Sequence, residues 1–328
     1  MPRSDDPRSP AAGGLYRLAA WIAFVVMRVQ RWRLDVRGLE HVPRHGGAVI
    51  ASNHTSFWDF FTVGRGPYLR WGRPVRILAK ESLFRVPLFG WLMRRAEHIP
   101  VHRGAGSAAL RSAVTALRRG ELLLVLPERT ISPAFELLPF KPGAARMAAD
   151  AGVPLVPAVS WGSHRFHTIG RRPRWSWRLP GVVAYGPPLH PGPADDVAEV
   201  TAELRRRVDE LLDLAQRTYP DGAPASAWWV PARLGGGAPT VPEAQAVLRR
   251  LEASWRAAAA EKVERAKRRV QREADHARER LRDGADRVHE HAEDARERLQ
   301  EGIDDVRDRL GPGAGAPDAP EDPGRGSR

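Results

Sequence analysis

The segment Asn53-His54-Thr55-Ser56-Phe57-Trp58-Asp59 places a histidine and an aspartate five positions apart. An imidazole with a carboxylate about one helical turn away is a minimal apparatus for general-base catalysis. The carboxylate accepts from one ring nitrogen and fixes the tautomer, and the other nitrogen is left to take a hydroxyl proton. Such chemistry needs rigid support. Upstream, Ala48-Val49-Ile50-Ala51 reads as a short buried strand, so His54 falls where that strand ends, held by backbone and facing a cleft.

The elements around it repeat one pattern. Short apolar runs at Val49–Ala51, Val75–Ala79, Ile99–Val101, Leu122–Leu126, Leu155–Val159 and Val182–Tyr185 read as strands. Amphipathic segments at Phe57–Val63, Ser82–Arg95, Gly106–Arg119, Pro142–Ala151 and Asp195–Arg217 read as helices. Strands alternating with helices predict an α/β sandwich with a largely parallel core sheet. In such folds functional side chains gather at strand ends. His54, Arg103 and Glu128 each follow a predicted strand at a comparable distance and are expected to converge on one cleft.

Composition limits the alternatives. The 328 residues include no cysteine, which excludes disulfides, thiolate nucleophiles and Cys-ligated metals. The net charge is +13, and its location matters more than its size. Residues 255–310 hold 15 basic and 15 acidic side chains and the tail 311–328 holds two and three, which leaves 35 against 21 in residues 1–254. A basic body attracts nucleic acid, anionic headgroups or phosphorylated small molecules. Several of the 11 tryptophans adjoin arginines, as in Arg31-Trp32-Arg33, Arg70-Trp71 and Arg174-Trp175-Ser176-Trp177-Arg178. That pairing suits a membrane interface or stacking on single-stranded nucleic acid. No zinc-finger, RNP-like or helix-turn-helix signature accompanies it, so a membrane lipid surface is the expected partner and nucleic acid is not.

At the N-terminus, residues 1–14 are polar and Pro/Gly-rich and read as a disordered leader. Residues 15–33 follow as a helix, of which only Leu18–Met27 is free of charge. About 20 apolar residues are needed to span a bilayer, so this segment is expected to lie in the membrane interface or pack on the core. Asp5, Asp6 and the lack of a small-x-small site before Arg28 argue against a signal peptide.

Four blocks then occur in order: Asn53–Asp59, Ile99-Pro100-Val101-His102-Arg103, Leu126-Pro127-Glu128-Arg129-Thr130-Ile131-Ser132 and Val153-Pro154-Leu155-Val156-Pro157. Together with Phe140-Lys141-Pro142-Gly143-Ala144-Ala145, they resemble the glycerolipid acyltransferases that share a His-x4-Asp motif, the lysophosphatidic acid acyltransferases and their relatives. The resemblance covers roughly residues 35–190 and implies an acyltransferase-type αβ sandwich across residues 34–217.

It also implies a reaction. His54 would deprotonate an acceptor hydroxyl, Asp59 would orient the ring, and the alkoxide would attack an acyl thioester of CoA or acyl carrier protein. The implied acceptor is 1-acylglycerol 3-phosphate and the product phosphatidic acid, formed at the cytoplasmic face of the cell membrane by a peripheral or monotopic protein. No cofactor beyond the acyl donor and no metal is implied. Lys80 and Arg103 are the implied phosphate contacts, Arg being suited to bidentate binding and Lys to a point charge. Glu128, Arg129 and Thr130 are the implied third-block substrate contacts, with Glu128 binding acceptor hydroxyls or bracing its loop. Ser56 reads as a local hydrogen-bonding residue, not a nucleophile, and His98 and His102 as surface or cleft-edge residues. Phe57, Trp58, Phe60, Phe61, Leu83, Phe84, Leu88, Phe89, Trp91 and Leu92 would line an acyl slot or belong to the core.

Three positions depart from the family pattern. Arg129 replaces the glycine and Ile131 the arginine of the usual Pro-Glu-Gly-Thr-Arg-Ser, and Glu97 stands where a glycine is common. These changes put the acceptor in question, so another lysolipid or a glycolipid is the alternative. A non-catalytic membrane scaffold is a third reading.

Beyond Arg217, residues 218–254 form a Pro/Gly-rich linker and the start of a helix. From 255 to 310 small apolar residues recur at steps of three and four, from Val263 and Ala266 to Val306 and Leu310. Steps running mostly 3-4-4 approach an eleven-residue repeat, which keeps the stripe on one side of a nearly straight amphipathic helix. Self-association or weak surface contact is expected there. The tail 311–328 reads as disordered.

Overall fold

The computed structural model describes residues 14–101 and 106–310. The predicted leader and tail therefore lie largely or wholly outside the described residues. The chain divides into two units, Met1–Leu251 and Glu252–Arg328.

The first unit is organised by a seven-stranded sheet of order β1-β7-β6-β2-β5-β3-β4. The strands are β1 Arg33–Arg37, β2 Ala48–Ser52, β3 Val75–Lys80, β4 Ile99–Val101, β5 Leu122–Val125, β6 Leu155–Trp161 and β7 Pro180–Tyr185. Every pairing is parallel except that of β6 with β7. The largely parallel α/β sandwich read from the sequence is the fold observed. β2, β5 and β6 are buried at every residue, as expected of central strands covered on both faces.

Alternate side chains feed two cores. Val49, Ala51, Leu123 and Val125 point into one, shared with Ala113 and Leu117 of α5 (Gly106–Arg118), Ala144 and Ala148 of α6 (Gly143–Ala151), and Leu204, Val208 and Leu212 of α7 (Val197–Arg217). Ala48, Ile50, Leu122 and Leu124 point into the other, beneath Val63 of α2 (Asp59–Trp71).

Helix α2 runs beyond the predicted Phe57–Val63, through Gly64, Gly66 and Pro67. Proline at 67 removes the N–H that would reach the Val63 carbonyl. The Tyr185 hydroxyl donates to that carbonyl instead. Gly66 makes room for this, since a Cβ there would lie 3.1 Å from the Tyr185 oxygen. The predicted Ser82–Arg95 helix is split into α3 (Glu81–Phe84) and α4 (Pro87–Arg95), with Pro87 opening the second. β1 was not predicted. Its Arg-Leu-Asp-Val-Arg sequence alternates charge with apolar side chains, as suits an edge strand.

Helix α1 (Gly14–Val29) has two apolar faces. Tyr16, Ala20, Ala23 and Met27 are buried, and the Tyr16 oxygen accepts from Val75 N at 3.0 Å. Leu18, Trp21, Ile22, Val25 and Val29 are exposed. Among the described residues, no helix is long and apolar enough to cross a membrane.

Helix α8 spans Val241–Leu310 and begins earlier than the periodic stripe alone implies. Its start is a capping box, in which Glu243 Oε2 accepts from both Thr240 N and Thr240 Oγ1 at 2.8 Å. Ala244 is buried in the first unit, whereas residues 256–309 are almost entirely exposed.

Candidate active site

Parallel strands β2, β5, β3 and β4 end along one edge of the sheet, so residues just beyond them share a rim. His54 follows β2, Glu128 follows β5, and Lys80 closes β3 paired with Val101 of β4. Arg103 lies two residues past Val101 and, with His102, outside the described residues. The Lys80 side chain is likewise not among those described. The strand ends expected to converge do so for His54 and Glu128.

His54 Nδ1 lies 3.1 Å from Asp59 Oδ2. Asp59 is fully buried at the start of α2, and the His54 side chain keeps 19% of its surface exposed. The same Oδ2 accepts from the backbone N–H groups of Thr55 and Ser56, both at 2.8 Å. Oδ1 accepts from Ser163 Oγ at 2.9 Å. Burying an ion without water is costly unless it is hydrogen-bonded, and here three donors besides the imidazole meet that need. With Nδ1–H donating to Asp59, Nε2 remains an acceptor. Among the described residues Nε2 has no hydrogen-bond partner.

Glu128 lies behind His54. Its Oε1 accepts from His54 N at 2.8 Å and its Oε2 from Leu138 N at 2.9 Å. Burial pushes its carboxyl up to about 8, with the two N–H donors and the nearby Asp59 charge acting in opposite directions. Of the two roles read for this residue, bracing the loop is the one its bonds perform. The reciprocal contact is Ser132 N donating to His54 O at 2.8 Å, so both backbone groups of His54 are held by the third block. Ile131 is buried, while Arg129 is exposed and Thr130 is half-buried beside it.

Further side chains complete the support, and of these Ser160, Ser163 and Thr168 were not read from the sequence. Asn53 Oδ1 accepts from Ser160 N at 2.8 Å and Asn53 Nδ2 donates to Ser160 O at 3.1 Å, which locks the end of β2 to β6. Thr168 Oγ1 donates to Thr55 O at 2.7 Å. Ser56 Oγ accepts from Trp58 N at 3.0 Å, the local role expected of it, and also donates to the distant His167 O at 2.8 Å. Ser163 carries no local signal. It lies 104 residues from Asp59 and reaches it only through the turn after β6.

Two further expectations have definite outcomes. His98, read as a surface or cleft-edge residue, is buried between Phe60 and Tyr16 and accepts at Nδ1 from Ile77 N at 3.3 Å. Burial pushes its pKa down to about 4, which keeps it neutral. The aromatic residues proposed for an acyl slot divide. Phe84 is buried against Ala79 and Met93, Phe57, Leu83 and Trp91 are exposed, and Trp58 stacks among Trp32, Phe61 and Phe166. The side chains of Leu88 and Phe89 are not among those described.

The left-handed backbone positions account for the family's glycines. Arg129 has φ of 62° and Glu97 has φ of 55°. Glycine adopts this region freely, whereas other residues pay conformational strain there. Glu97 makes an ion pair with buried Arg76 at 2.5 Å. Among the described residues no cluster of His, Asp or Glu has the geometry of a metal site.

Fold and site together define a class. This is an α/β protein with a carboxylate-oriented imidazole at the carboxyl rim of a parallel sheet, arranged to activate a hydroxyl. Comparison with known proteins is specific. A family model described as Acyltransferase matches residues 33–161. A 1-acyl-sn-glycerol-3-phosphate acyltransferase of Pseudomonas aeruginosa is 31% identical over 202 residues, covering 59% of this chain and 71% of that protein. A chloroplastic enzyme of the same description from Arabidopsis thaliana is 28% identical over 194 residues, covering 56% of this chain, and the match spans only 50% of its length. The crystal structure of the 1-acyl-sn-glycerophosphate (LPA) acyltransferase PlsC from Thermotoga maritima superposes with a TM-score of 0.51 at 22% identity, over 61% of this chain and 78% of that one, a likeness of fold. The chain belongs to the acyltransferase family, among relatives of the 1-acyl-sn-glycerol-3-phosphate acyltransferases.

Proposed function

We propose that this protein transfers a fatty acyl group from acyl-CoA or acyl carrier protein to the free hydroxyl of 1-acyl-sn-glycerol 3-phosphate, giving phosphatidic acid for phospholipid synthesis. The observation that carries this reading is His54, oriented through Nδ1 by buried Asp59 with Nε2 left over. Nε2 takes the acceptor's hydroxyl proton while the oxygen attacks the thioester carbonyl. The tetrahedral intermediate then collapses, the C–S bond breaks, and the thiolate recovers the proton from the imidazolium. Lys80 and Arg103 are assigned to the acceptor phosphate from the resemblance of their blocks, and the ending of β3 and β4 on that rim supports this. Arg129 adds charge where the family's arginine is replaced by buried Ile131. That replacement favours one second reading, the same chemistry on another lysolipid or a glycolipid.

The protein is further proposed to work on a membrane surface, at its cytoplasmic face. The exposed apolar face of α1 supports this, as does the neighbouring loop with exposed Trp175 and Trp177. Ser176 N donates to Gln30 Oε1 at 3.2 Å and the Arg31 guanidinium covers Trp177, which ties that loop to the end of α1. Exposed Leu83, Val86 and Trp91 of the α3–α4 region add to the same chemistry of rings and aliphatic chains bordered by arginine.

The test is acyl transfer by purified protein from labelled acyl-CoA to a panel of lysophosphatidate, other lysophospholipids and glycolipids. His54→Ala should lower turnover by about 10³-fold or more, and Asp59→Asn by somewhat less. Lysophosphatidate should be the best acceptor. Full complementation of an acyltransferase-deficient strain by His54→Ala would make the protein a scaffold, and preference for an uncharged glycolipid would move it to the second reading.

A further inference from the structure

The second unit carries charge in a pattern that its overall balance conceals. Residues 255–282 hold ten basic and five acidic side chains, whereas 283–310 hold five basic and ten acidic ones. The helix is therefore a rod of net +5 followed by net −5, with the sign changing between Arg282 and Asp283. An exposed apolar stripe runs through both halves, including Val263, Val270, Leu281, Val288, Leu299, Ile303 and Val306. Leu281, at the centre, is 74% exposed.

Charge pairs within the helix, such as Arg265 with Glu261 and Arg269 with Glu273, support it as an isolated element. They leave the apolar stripe uncovered. A lone stripe of Val, Leu and Ala gains stability only by meeting another apolar surface.

We propose that this helix pairs in antiparallel fashion with the same helix of a second copy of the chain. Antiparallel alignment about a two-fold near residue 283 lays each basic half along the partner's acidic half. Parallel alignment would lay like charge on like, which is disfavoured. The apolar stripe follows the same two-fold at its ends and centre, while Val270, Val288 and Leu299 fall one position from the partner's Ala295, Ala277 and Ala266. Val263 faces the position of Ile303, Ala274 that of Ala292, and Leu281 that of Ala285, large against small at the centre. The 3-4-4 spacing keeps this seam on one side of a nearly straight helix, so two copies meet along their length with little supercoiling. The interface is self-complementary, as a two-fold dimer requires.

The chain has no cysteine, so introduced thiols report without background. Full-length Val263→Cys, full-length Ile303→Cys and the double variant are oxidised separately and run on non-reducing gels. The double variant should give a covalent dimer, and each single variant should stay monomeric, because only the antiparallel arrangement brings position 263 to position 303. Sedimentation of the cysteine-free protein should show a dimer whose apparent Kd weakens several-fold on raising salt. Covalent dimers from Val263→Cys alone would establish a parallel pair and overturn the proposal. So would an uncrosslinked double variant that sediments as a monomer. A Val270→Cys variant carrying an environment-sensitive dye covers the lipid alternative. If its dye becomes buried on phosphatidylglycerol–phosphatidylcholine vesicles while the double variant stays uncrosslinked, the stripe belongs to lipid and the pairing fails.

Discussion

The two ends of the sheet both bury a charge on backbone groups, and they use it oppositely. At the amino end, the guanidinium of Arg73 is buried and donates to Pro43 O at 2.5 Å and to Gly46 O and Gly120 O at 2.6 Å. These carbonyls belong to the approaches to β2 and β5, so one side chain ties together the entries of both strands. At the carboxyl end, Asp59 and Glu128 gather N–H groups from residues 54–56 and 138. There the scaffold takes up every oxygen of both carboxyl groups, and among the described residues Nε2 of His54 is left without a partner. The amino end spends its charge on rigidity alone, whereas the carboxyl end spends it on aiming an imidazole. The strands are fixed at one end and functional at the other because the loops there present different groups, carbonyls before β2 and β5 and N–H groups after them.

Removing the amino-end rivet should therefore cost stability and leave chemistry intact. Arg73→Met deletes the charge-assisted bonds of a buried guanidinium to three backbone carbonyls and should lower unfolding free energy by about 3–5 kcal/mol. In urea titrations this is read as a lower midpoint, while acyl transfer per folded molecule, assayed well below the melting temperature, should be nearly unchanged. A variant of wild-type stability would show that the amino end is held by packing instead, and a loss of turnover would show that the ends are coupled.

The comparison also explains what could be read from sequence. Val49–Ala51, Leu122–Leu126 and Leu155–Val159 announced themselves because central strands of a parallel sheet are apolar on both faces. His54 and Asp59 were legible because their contact is local. What supports them was not, because Ser163, Ser160 and Leu138 come to the site from far along the chain, and nothing in a serine's neighbours signals a distant partner. Arg73 gave no signal either, since a lone arginine in a loop reads as a solvated charge. The extension of α2 across Pro67 depends on a hydroxyl 118 positions away in Tyr185. β1 was hidden because only one apolar face is needed at an edge, and His98 because its partners lie on three separate elements.

A second test concerns how the carboxyl end tolerates its buried acid. The folded-state pKa of Glu128 is raised from 4.5 to about 8, chiefly by burial. An acid with a raised pKa binds its proton more tightly folded than unfolded. Its stabilising contribution is full below pH about 4.5 and is lost as pH rises through about 8. Glu128→Gln removes that titration at the cost of a mismatched amide against two N–H donors. The variant should be less stable than wild type at pH about 5, and the gap should narrow by on the order of a few kcal/mol by pH about 9. Parallel stability curves across this range would mean that Glu128 is ionised throughout and that its N–H donors outweigh its burial.

The smallest effect sharpens the contrast most finely, because Arg129 belongs to the carboxyl end without serving its scaffold. Its side chain is exposed and its φ of 62° suits glycine. Arg129→Gly should relieve about 1 kcal/mol of backbone strain, partly offset by the greater freedom of glycine in the unfolded chain. The net change is a small gain in melting temperature. If the guanidinium supplies charge to a phosphorylated acceptor, the same substitution should raise the acceptor's KM several-fold and leave the acyl donor's KM alone. A gain in stability with an unchanged acceptor KM would leave the strain without a function. A rise in acceptor KM would show that the rim tolerates a strained residue because substrate binding needs its charge, something the amino end never has to do.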